Sequence, residues 1–180
     1  MRAIEVSRTV QSPDGVDITL EGRKIAVKGQ KGTLTREFSY APISIELDGK
    51  SLTLRAEWPR KKESSLVGTI YSHIQNMITG VSKGYTYKLK IVFSHFPISV
   101  KVKEKFVLIE NFTGERNPRK ARIMGNAQVK IESEDIIVQG IDLEDVSQTA
   151  ANIEQATKVK RKDPRIFLDG IFVYERNEGM

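Results

Sequence analysis

The sequence contains no cysteine and only two histidines among its 180 residues. The absence of cysteine excludes a disulfide framework, a thiol nucleophile and thiolate metal sites. No apolar run approaches the ~20 residues that a membrane-spanning helix requires. The first residues also lack an apolar core of the signal-peptide type. We therefore expect a cytoplasmic protein with no membrane partner.

The two histidines provide little material for an active site. His73 lies within a helical pattern, where a half-buried histidine is the usual case. Ser94 and His95 are neighbours at a predicted strand end, which would point their side chains to opposite faces. The segment Gly49–Ser51 resembles the end of a phosphate-binding loop but lacks its first glycine and precedes a strand pattern. We predict no enzyme activity, no catalytic residue, no cofactor, no metal site and no small-molecule substrate.

Positive charge is in excess and is clustered. The formal net charge is +6 and the isoelectric point is near 9.5, which favours an anionic partner such as a nucleic acid or an acidic membrane face. In the second half, basic pairs share strand faces, four basic residues occupy 116–122 in a predicted loop, and five lie in 158–165. Most aromatic residues fall on apolar strand faces. This pattern predicts recognition of the backbone and shape of a folded RNA rather than of unstacked bases.

A strand-rich pattern followed by a helix occurs twice in the chain. Alternating apolar residues on either side of Asp48-Gly49 predict a hairpin in the first half. The apolar positions of this hairpin recur in the second half at a constant separation of 84 residues, which indicates an internal duplication. Ile45, Leu47, Leu52 and Leu54 correspond to Val129, Ile131, Ile136 and Val138.

Each predicted hairpin precedes a predicted helix. The first helix has Ser64 or Ser65 as its N-cap and ends at Gly80. The second runs from about Glu144 to Lys158, with acidic residues at its start. Strands followed by a helix predict an α+β fold of two tandem repeated domains, each a mainly antiparallel sheet covered on one face by a helix. The predicted domains are residues 1–81 and 82–180, the second with a basic C-terminal arm.

Four long segments resemble the large-subunit ribosomal protein L-six family, called L-nine in eukaryotes, in its archaeal and eukaryotic form. The segments VKGQKGTLTREF (Val27–Phe38) and GVSKGYTYKLKIVFSHFPI (Gly80–Ile98) resemble the first-repeat turn and the start of the second domain. The segments ENFTGER and GIDLEDVSQTAANIEQATKVKRKDPRIFLDGIFV resemble the second-domain loop and the C-terminal signature. Phe172 stands where the family is expected to have tyrosine. The resemblance extends nearly end to end.

The resemblance implies a structural constituent of the large ribosomal subunit that binds large-subunit rRNA near the sarcin–ricin loop and supports the factor-binding region during translation. The implied partners are rRNA, neighbouring large-subunit proteins and translation factors near the stalk base. The second domain would carry most of the RNA contact, with 158–165 on the RNA and IFLDGIFVY anchoring that arm. The expected rRNA-binding residues are Lys83, Lys88, Lys90, His95, Lys101, Lys103, Arg116, Arg119, Lys120, Arg122, Lys158, Lys160, Arg161, Lys162, Arg165 and Arg176.

Two other functions stay open at the level of the sequence. One is a free-standing RNA-binding regulatory protein, which would carry the same charge clusters outside the ribosome. The other is a small hydrolase that uses His95. Co-sedimentation with large subunits would favour the ribosomal function over the free-standing regulator. Substrate turnover in the absence of RNA would favour the hydrolase.

Overall fold

The structure is a computed structural model that describes residues 4–160, 163 and 165–180. Its contacts divide the chain into two compact units, residues 1–83 and 84–180. Each unit has its own core of buried side chains. The sequence-based limits, 1–81 and 82–180, remain a prediction about where independently folding domains begin and end.

The first unit consists of two antiparallel sheets and one helix. One sheet has the strand order β1-β6-β5 and the other the order β2-β3-β4. Helix α1 packs on strands of both sheets and buries a stripe of apolar side chains. The elements are β1 (Glu5–Gln11), β2 (Asp17–Glu21), β3 (Lys24–Gly29), β4 (Gly32–Glu37), β5 (Ser44–Asp48), β6 (Ser51–Glu57) and α1 (Lys61–Ser82).

The second unit repeats this order and adds a strand at its end. One sheet has the order β10-β9-β8, and the other has the order β11-β12-β7-β13, in which β13 pairs with the outer edge of β7. The elements are β7 (Tyr85–Val92), β8 (Ser99–Lys103), β9 (Phe106–Glu110), a 3-10 turn (Phe112–Gly114), β10 (Arg119–Arg122), β11 (Gln128–Glu132), β12 (Asp135–Gly140), α2 (Leu143–Ala156) and β13 (Gly170–Glu178).

The two hairpins have the register that the duplication predicts. Ile45 pairs with Leu54 in the first unit, and Val129 pairs with Val138 in the second. In both hairpins the second strand is fully buried at its two apolar positions while the first strand is half-buried there. The predicted α+β fold of two repeats is confirmed, because period-two patterning fixes which face of each strand is buried.

The predicted ends of the first helix are wrong. Helix α1 begins at Lys61, because the Glu63 carboxylate accepts a hydrogen bond from the extended Arg60 backbone and completes a capping box. It also continues beyond Gly80 to Ser82. Val81 is fully buried, and its carbonyl accepts a hydrogen bond of 3.0 Å from the Lys31 amide. Tertiary packing therefore outweighs the helix-ending tendency of glycine.

The second helix begins one residue earlier and ends two residues earlier than predicted. Asp142 caps its start by accepting a hydrogen bond from Glu144 N at 2.9 Å. The predicted loop over 116–122 is partly wrong, because 119–122 form the edge strand β10 on β9. Lysine and arginine are common on edge strands, where their charge opposes pairing with another chain.

Candidate nucleic-acid interface

Exposed basic and aromatic side chains of the second unit gather around the C-terminal end of α2. Strand β10 brings two cations to one side of the helix end, and the chain that follows the helix brings a lysine and two phenylalanines to the other side. We call this region the helix-end surface, and it is formed by Lys120, Arg122, Asn152, Gln155, Lys158, Phe167 and Phe172.

A basic groove of about 420 Å³ lies between β10 and α2. Lys120 and Arg122 alternate with the buried Ala121, so both of their side chains project away from the core. Asn152 ties the helix to the strand by donating a hydrogen bond of 2.9 Å to the Arg122 carbonyl. Neither cation forms an ion pair within the part of the chain that the structure describes. Their charges are therefore available to a phosphate backbone.

Arg119, on the same strand, has partners within the protein. Its guanidinium forms a bidentate pair with Glu115 at 2.9 and 2.6 Å and donates to the carbonyls of Ala156 and Lys158 at 2.8 and 3.0 Å. It also lies 4.3 Å from the ring centroid of the buried Phe112. Arg119 thus satisfies carbonyls that the end of α2 leaves without partners. Its position explains how the helix end is held beside β10.

Three predicted RNA contacts on strands face carboxylates. Lys88 lies 2.7 Å from Glu175, and Lys101 lies 2.8 Å from Glu110. Lys90 is 3.3 Å from Glu134 and 3.7 Å from Asp135. The hydrogen bond to Glu175 raises the pKa of Lys88 and lowers that of the carboxyl. Because these carboxylates partly neutralise their charge, the three lysines are weaker candidates for RNA contact than Lys120 and Arg122.

The other predicted contacts are spread over the two units. Arg176 lies 5.7 Å from the ring centroid of Tyr87. Lys83 is the C-cap of α1 and belongs to the first unit. The exposed cations of the second unit for which the described residues show no ion pair also include Lys103, Arg116, Lys158, Lys160 and Arg165. Arg161 and Lys162 lie outside the described residues.

His95 belongs to a cluster that includes Asp169, which lies 74 positions away in the sequence. His95 Nδ1 is 3.2 Å from Asp169 Oδ2 and 3.1 Å from Ser94 Oγ, so the prediction that Ser94 and His95 point apart is wrong. The reason is that β7 ends at Val92 and both residues lie in a bend. Asp169 also accepts hydrogen bonds from Ser94 N at 2.7 Å and Ser94 Oγ at 2.9 Å.

This cluster lacks the geometry of a hydrolase triad. In a triad, one ring nitrogen of histidine accepts the proton of serine while the other donates to the carboxylate. Here the same nitrogen of His95 faces both Ser94 and Asp169, and the serine hydroxyl donates to the carboxylate instead. Burial raises the pKa of the Asp169 carboxyl, but the hydrogen bonds from Ser94 and His95 outweigh it and lower the pKa. Asp169 therefore holds the loop as a buried carboxylate.

The prediction that the aromatic residues lie on apolar strand faces is wrong for part of the second unit. Several of them expose more than two fifths of their surface. Phe96 packs its ring over Gly114, and Phe172 lies beside the end of α2. The exposed aromatic residues of this unit are Phe93, Phe96, Phe106, Phe172 and Tyr174. The three on strands follow the alternation, since Phe106 precedes the buried Val107 and Phe172 and Tyr174 alternate with the inward positions of β13, whereas Phe93 and Phe96 lie at the bend after β7.

Two other kinds of site are not found in the described part of the molecule. It has no group of three or more acidic or histidine side chains that could hold a metal ion. None of its described helices is long and apolar enough to cross a membrane. His73 is half-buried on α1, as predicted.

Comparison with known proteins gives one consistent result. The sequence profile of the family described as ribosomal protein L6 matches residues 12–84 and 96–170, one match in each unit. The chain is 48% identical over 182 residues to the large ribosomal subunit protein uL6 of Desulfurococcus amylolyticus, with 99% of each chain covered. It is 48% identical over 172 residues to the protein of the same name from Methanosarcina mazei, with 96% of this chain and 98% of the other covered. These matches agree with the resemblance predicted from the sequence.

Proposed function

Because the chain belongs to the ribosomal protein L6 family, we propose that it binds large-subunit rRNA chiefly through its second unit, with the helix-end surface as the main contact. Membership of the family makes it a structural, non-enzymatic protein of the large subunit of the cytoplasmic ribosome, with rRNA and neighbouring ribosomal proteins as partners. The proposal concerns which residues make the contact.

The observation that carries the proposal is the difference between two sets of cations. Lys88, Lys90 and Lys101 face carboxylates of their own unit. Lys120, Arg122 and Lys158 surround the end of α2 without an ion pair among the described residues. A cation without an internal ion pair has no carboxylate to give up when it binds RNA, so its full charge is available to a phosphate. Contacts with phosphates dominate the affinity of proteins for nucleic acids.

The location on the ribosome follows from the family resemblance and is proposed with it. The second unit binds rRNA near the sarcin–ricin loop, and the first unit supports the factor-binding region, where translation factors meet the stalk base. Some cations of the first unit also face carboxylates of their own unit. For example, Lys50 pairs with Asp14 at 2.8 Å, and Arg55 pairs with Glu5 at 3.1 Å.

The test compares two triple variants of the full chain that remove the same number of charges. One variant changes Lys120, Arg122 and Lys158 to Gln, and the control changes Lys88, Lys90 and Lys101 to Gln. Binding to large-subunit rRNA is measured between about 50 and 200 mM salt. The first variant should lower the slope of log affinity against log salt by about 2 to 3, and the control should lower it by less than about 1.

The slope is the informative quantity because it counts neutralised phosphates, whereas affinity at a single salt concentration also responds to net charge. Equal slopes for the helix-end variant and the unmodified protein would contradict the proposal. So would a control variant whose slope falls as far as that of the helix-end variant. Melting curves of both variants are needed to establish that each stays folded.

A further inference from the structure

A second groove lies on the other side of the end of α2 and has a different chemical lining from the basic groove. Its volume is about 520 Å³, which is within the range of small-molecule and cofactor sites. Most of the lining surface is apolar, although five of its nine residues are polar or charged. It is formed by Glu154, Gln155, Thr157, Lys158, Val159, Phe167, Leu168, Asp169 and Phe172.

The two aromatic rings of this groove are fixed in place by the protein itself. The ring of Phe172 lies against Gly170 so closely that a Cβ atom there would be 2.8 Å from it, although Phe172 remains 46% exposed. The ring of Phe167 is stacked on His95, with 4.7 Å between the ring centroids. Asp169 holds His95 in turn through its Oδ2. Phe172 therefore presents an exposed ring at the groove, and Phe167 contributes a half-buried ring to the lining.

The polar groups of the groove fall into two classes. Thr157 Oγ1 is used internally, since it accepts a hydrogen bond from Ile171 N and donates one to the Glu154 carbonyl, both at 3.0 Å. The oxygens of Asp169 are likewise used by Ser94 and His95. Within the described residues, no hydrogen bond involves the side-chain amide of Gln155 or the ammonium of Lys158. These two groups are available to a ligand, as is the Glu154 carboxylate, which also lines the groove and can only accept hydrogen bonds.

Gln155 connects this aromatic groove with the basic groove, because it lines both. A ligand that enters both grooves would meet Lys120 and Arg122 on one side of Gln155 and the two phenylalanines on the other. Nucleotides have this composition, with a flat base, a polar base edge and a phosphate. An apolar peptide would fill the aromatic groove but would leave the cations around it without compensating charge.

We propose that the aromatic groove binds an unpaired, unstacked nucleobase of the rRNA, whose backbone lies in the basic groove. This inference rests on the proposed function. The base packs on the exposed ring of Phe172, Gln155 hydrogen-bonds its edge, and Lys158 pairs with an adjacent phosphate. Stacking of bases on aromatic side chains is a general means by which proteins hold unstacked nucleotides. Recognition of the RNA then includes a base as well as the backbone. The sequence, by contrast, predicts recognition of the backbone and shape of a folded RNA alone.

The test uses the full chain and large-subunit rRNA. Phe172→Leu keeps an apolar side chain but removes the flat ring, whereas Phe172→Tyr keeps the ring and is the matched control. Tyr40→Leu removes an exposed aromatic residue of the first unit. Phe172→Leu should weaken binding roughly 5- to 150-fold at every salt concentration, with the salt slope unchanged. Phe172→Tyr and Tyr40→Leu should stay within about twofold of the unmodified protein.

A second readout does not depend on affinity. In a Trp58→Phe background, which removes the one natural tryptophan, Phe172→Trp places a single fluorescent indole in the groove. Addition of rRNA should quench and shift its emission, because a base stacks on it. A melting curve of each variant establishes that it is folded.

The outcomes separate this inference from the proposed function. Normal affinity of Phe172→Leu, together with the salt dependence of the unmodified protein, would overturn the nucleobase site and leave the proposed rRNA contact in place. If the unmodified protein itself shows no salt-dependent binding to rRNA, that result would contradict the proposed function instead. Normal binding of Phe172→Leu to rRNA, combined with its loss from subunits that contain the other ribosomal proteins, would assign the groove to a protein partner and overturn the inference.

Discussion

The two units share the order of their first six strands and the position of the helix that follows them, but their helix ends differ. In the first unit, the last turn of α1 is closed by internal contacts, since the Val81 carbonyl accepts a hydrogen bond from Lys31 N and Gly29 packs against Val81. In the second unit, Arg119 caps the end of α2, and grooves with exposed cations and aromatic rings lie on both sides of it. The same fold thus has one helix end that is closed by internal contacts and one that is lined by exposed cations and an exposed aromatic ring.

The largest expected effect concerns the units as separate fragments. Residues 84–180 should bind large-subunit rRNA, and residues 1–83 should bind it much more weakly, because Lys120, Arg122 and Lys158 gather around the end of α2. If about 6 phosphates are contacted, the affinity of the second fragment should fall roughly a thousandfold between about 50 and 200 mM salt. Gel-shift titrations measure this, after circular dichroism has established that each fragment is folded. Similar affinities for the two fragments would remove the functional contrast between the units.

The next effect concerns Asp169, a buried carboxylate for which the first unit offers no counterpart among its described residues. Asp169→Asn keeps the shape but puts a neutral amide beside Ser94 and His95, so it should lower the free energy of unfolding by about 1.5 to 3 kcal/mol near neutral pH. Denaturant unfolding measures the loss. Addition of rRNA should restore only part of the lost free energy of unfolding. The reason is that the substitution also loosens the stacking of His95 on Phe167.

The pH dependence of this effect has a definite sign. The folded-state pKa of Asp169 is lowered, so the carboxylate stabilises the fold above its unfolded-state pKa, and this contribution is lost as the pH falls through the folded-state value. The stability difference between Asp169→Asn and the unmodified protein should therefore shrink between about pH 5 and pH 2. A difference that stays constant over this range would mean that the charge of Asp169 does not contribute.

The smallest effect tests the closed helix end of the first unit. At Gly29 an added Cβ would lie 2.7 Å from the Val81 carbonyl oxygen, so Gly29→Ala should destabilise this unit by about 1 to 3 kcal/mol. Gly68→Ala is the matched control, because no atom outside the neighbouring backbone of α1 lies within 4 Å of the added Cβ. It should instead stabilise the unit by up to about 1 kcal/mol through helix propensity. Thermal melting compares the two, and neither change should alter rRNA affinity.

The local parts of the fold could be predicted from the sequence, and the reason is physical. Alternating apolar residues around Asp48-Gly49 and in 128–140 fix both the strands and their buried faces, so the hairpin registers are correct. The ends of α1 were wrong because they depend on the Arg60–Glu63 capping box and on contacts with Lys31. Strand β10 was missed because its basic residues give no alternating apolar pattern, and its single buried residue is Ala121.

The candidate site was predictable only in part. Clustering of basic residues indicated the second unit, but it could not separate Lys120 from Lys101, because the partner of Lys101 lies on another strand. Asp169 is part of the C-terminal signature, but its buried role could not be predicted, since its contacts with Ser94 and His95 join residues more than seventy positions apart. The aromatic groove was missed for the same reason. Its walls come from the end of α2 and from the segment around β13, which only the folded chain brings together.

The most direct test of the central contrast is a comparison of lysine acetylation rates in the free protein and in assembled large subunits, followed by mass spectrometry of each site. Contact with rRNA shields an ammonium group from the reagent. The strongest protection should fall on Lys120 and Lys158, with much weaker protection at Lys88 and Lys101 and, in the first unit, at Lys50. Protection concentrated in the first unit, with Lys120 and Lys158 as reactive in the subunit as in the free protein, would contradict this prediction.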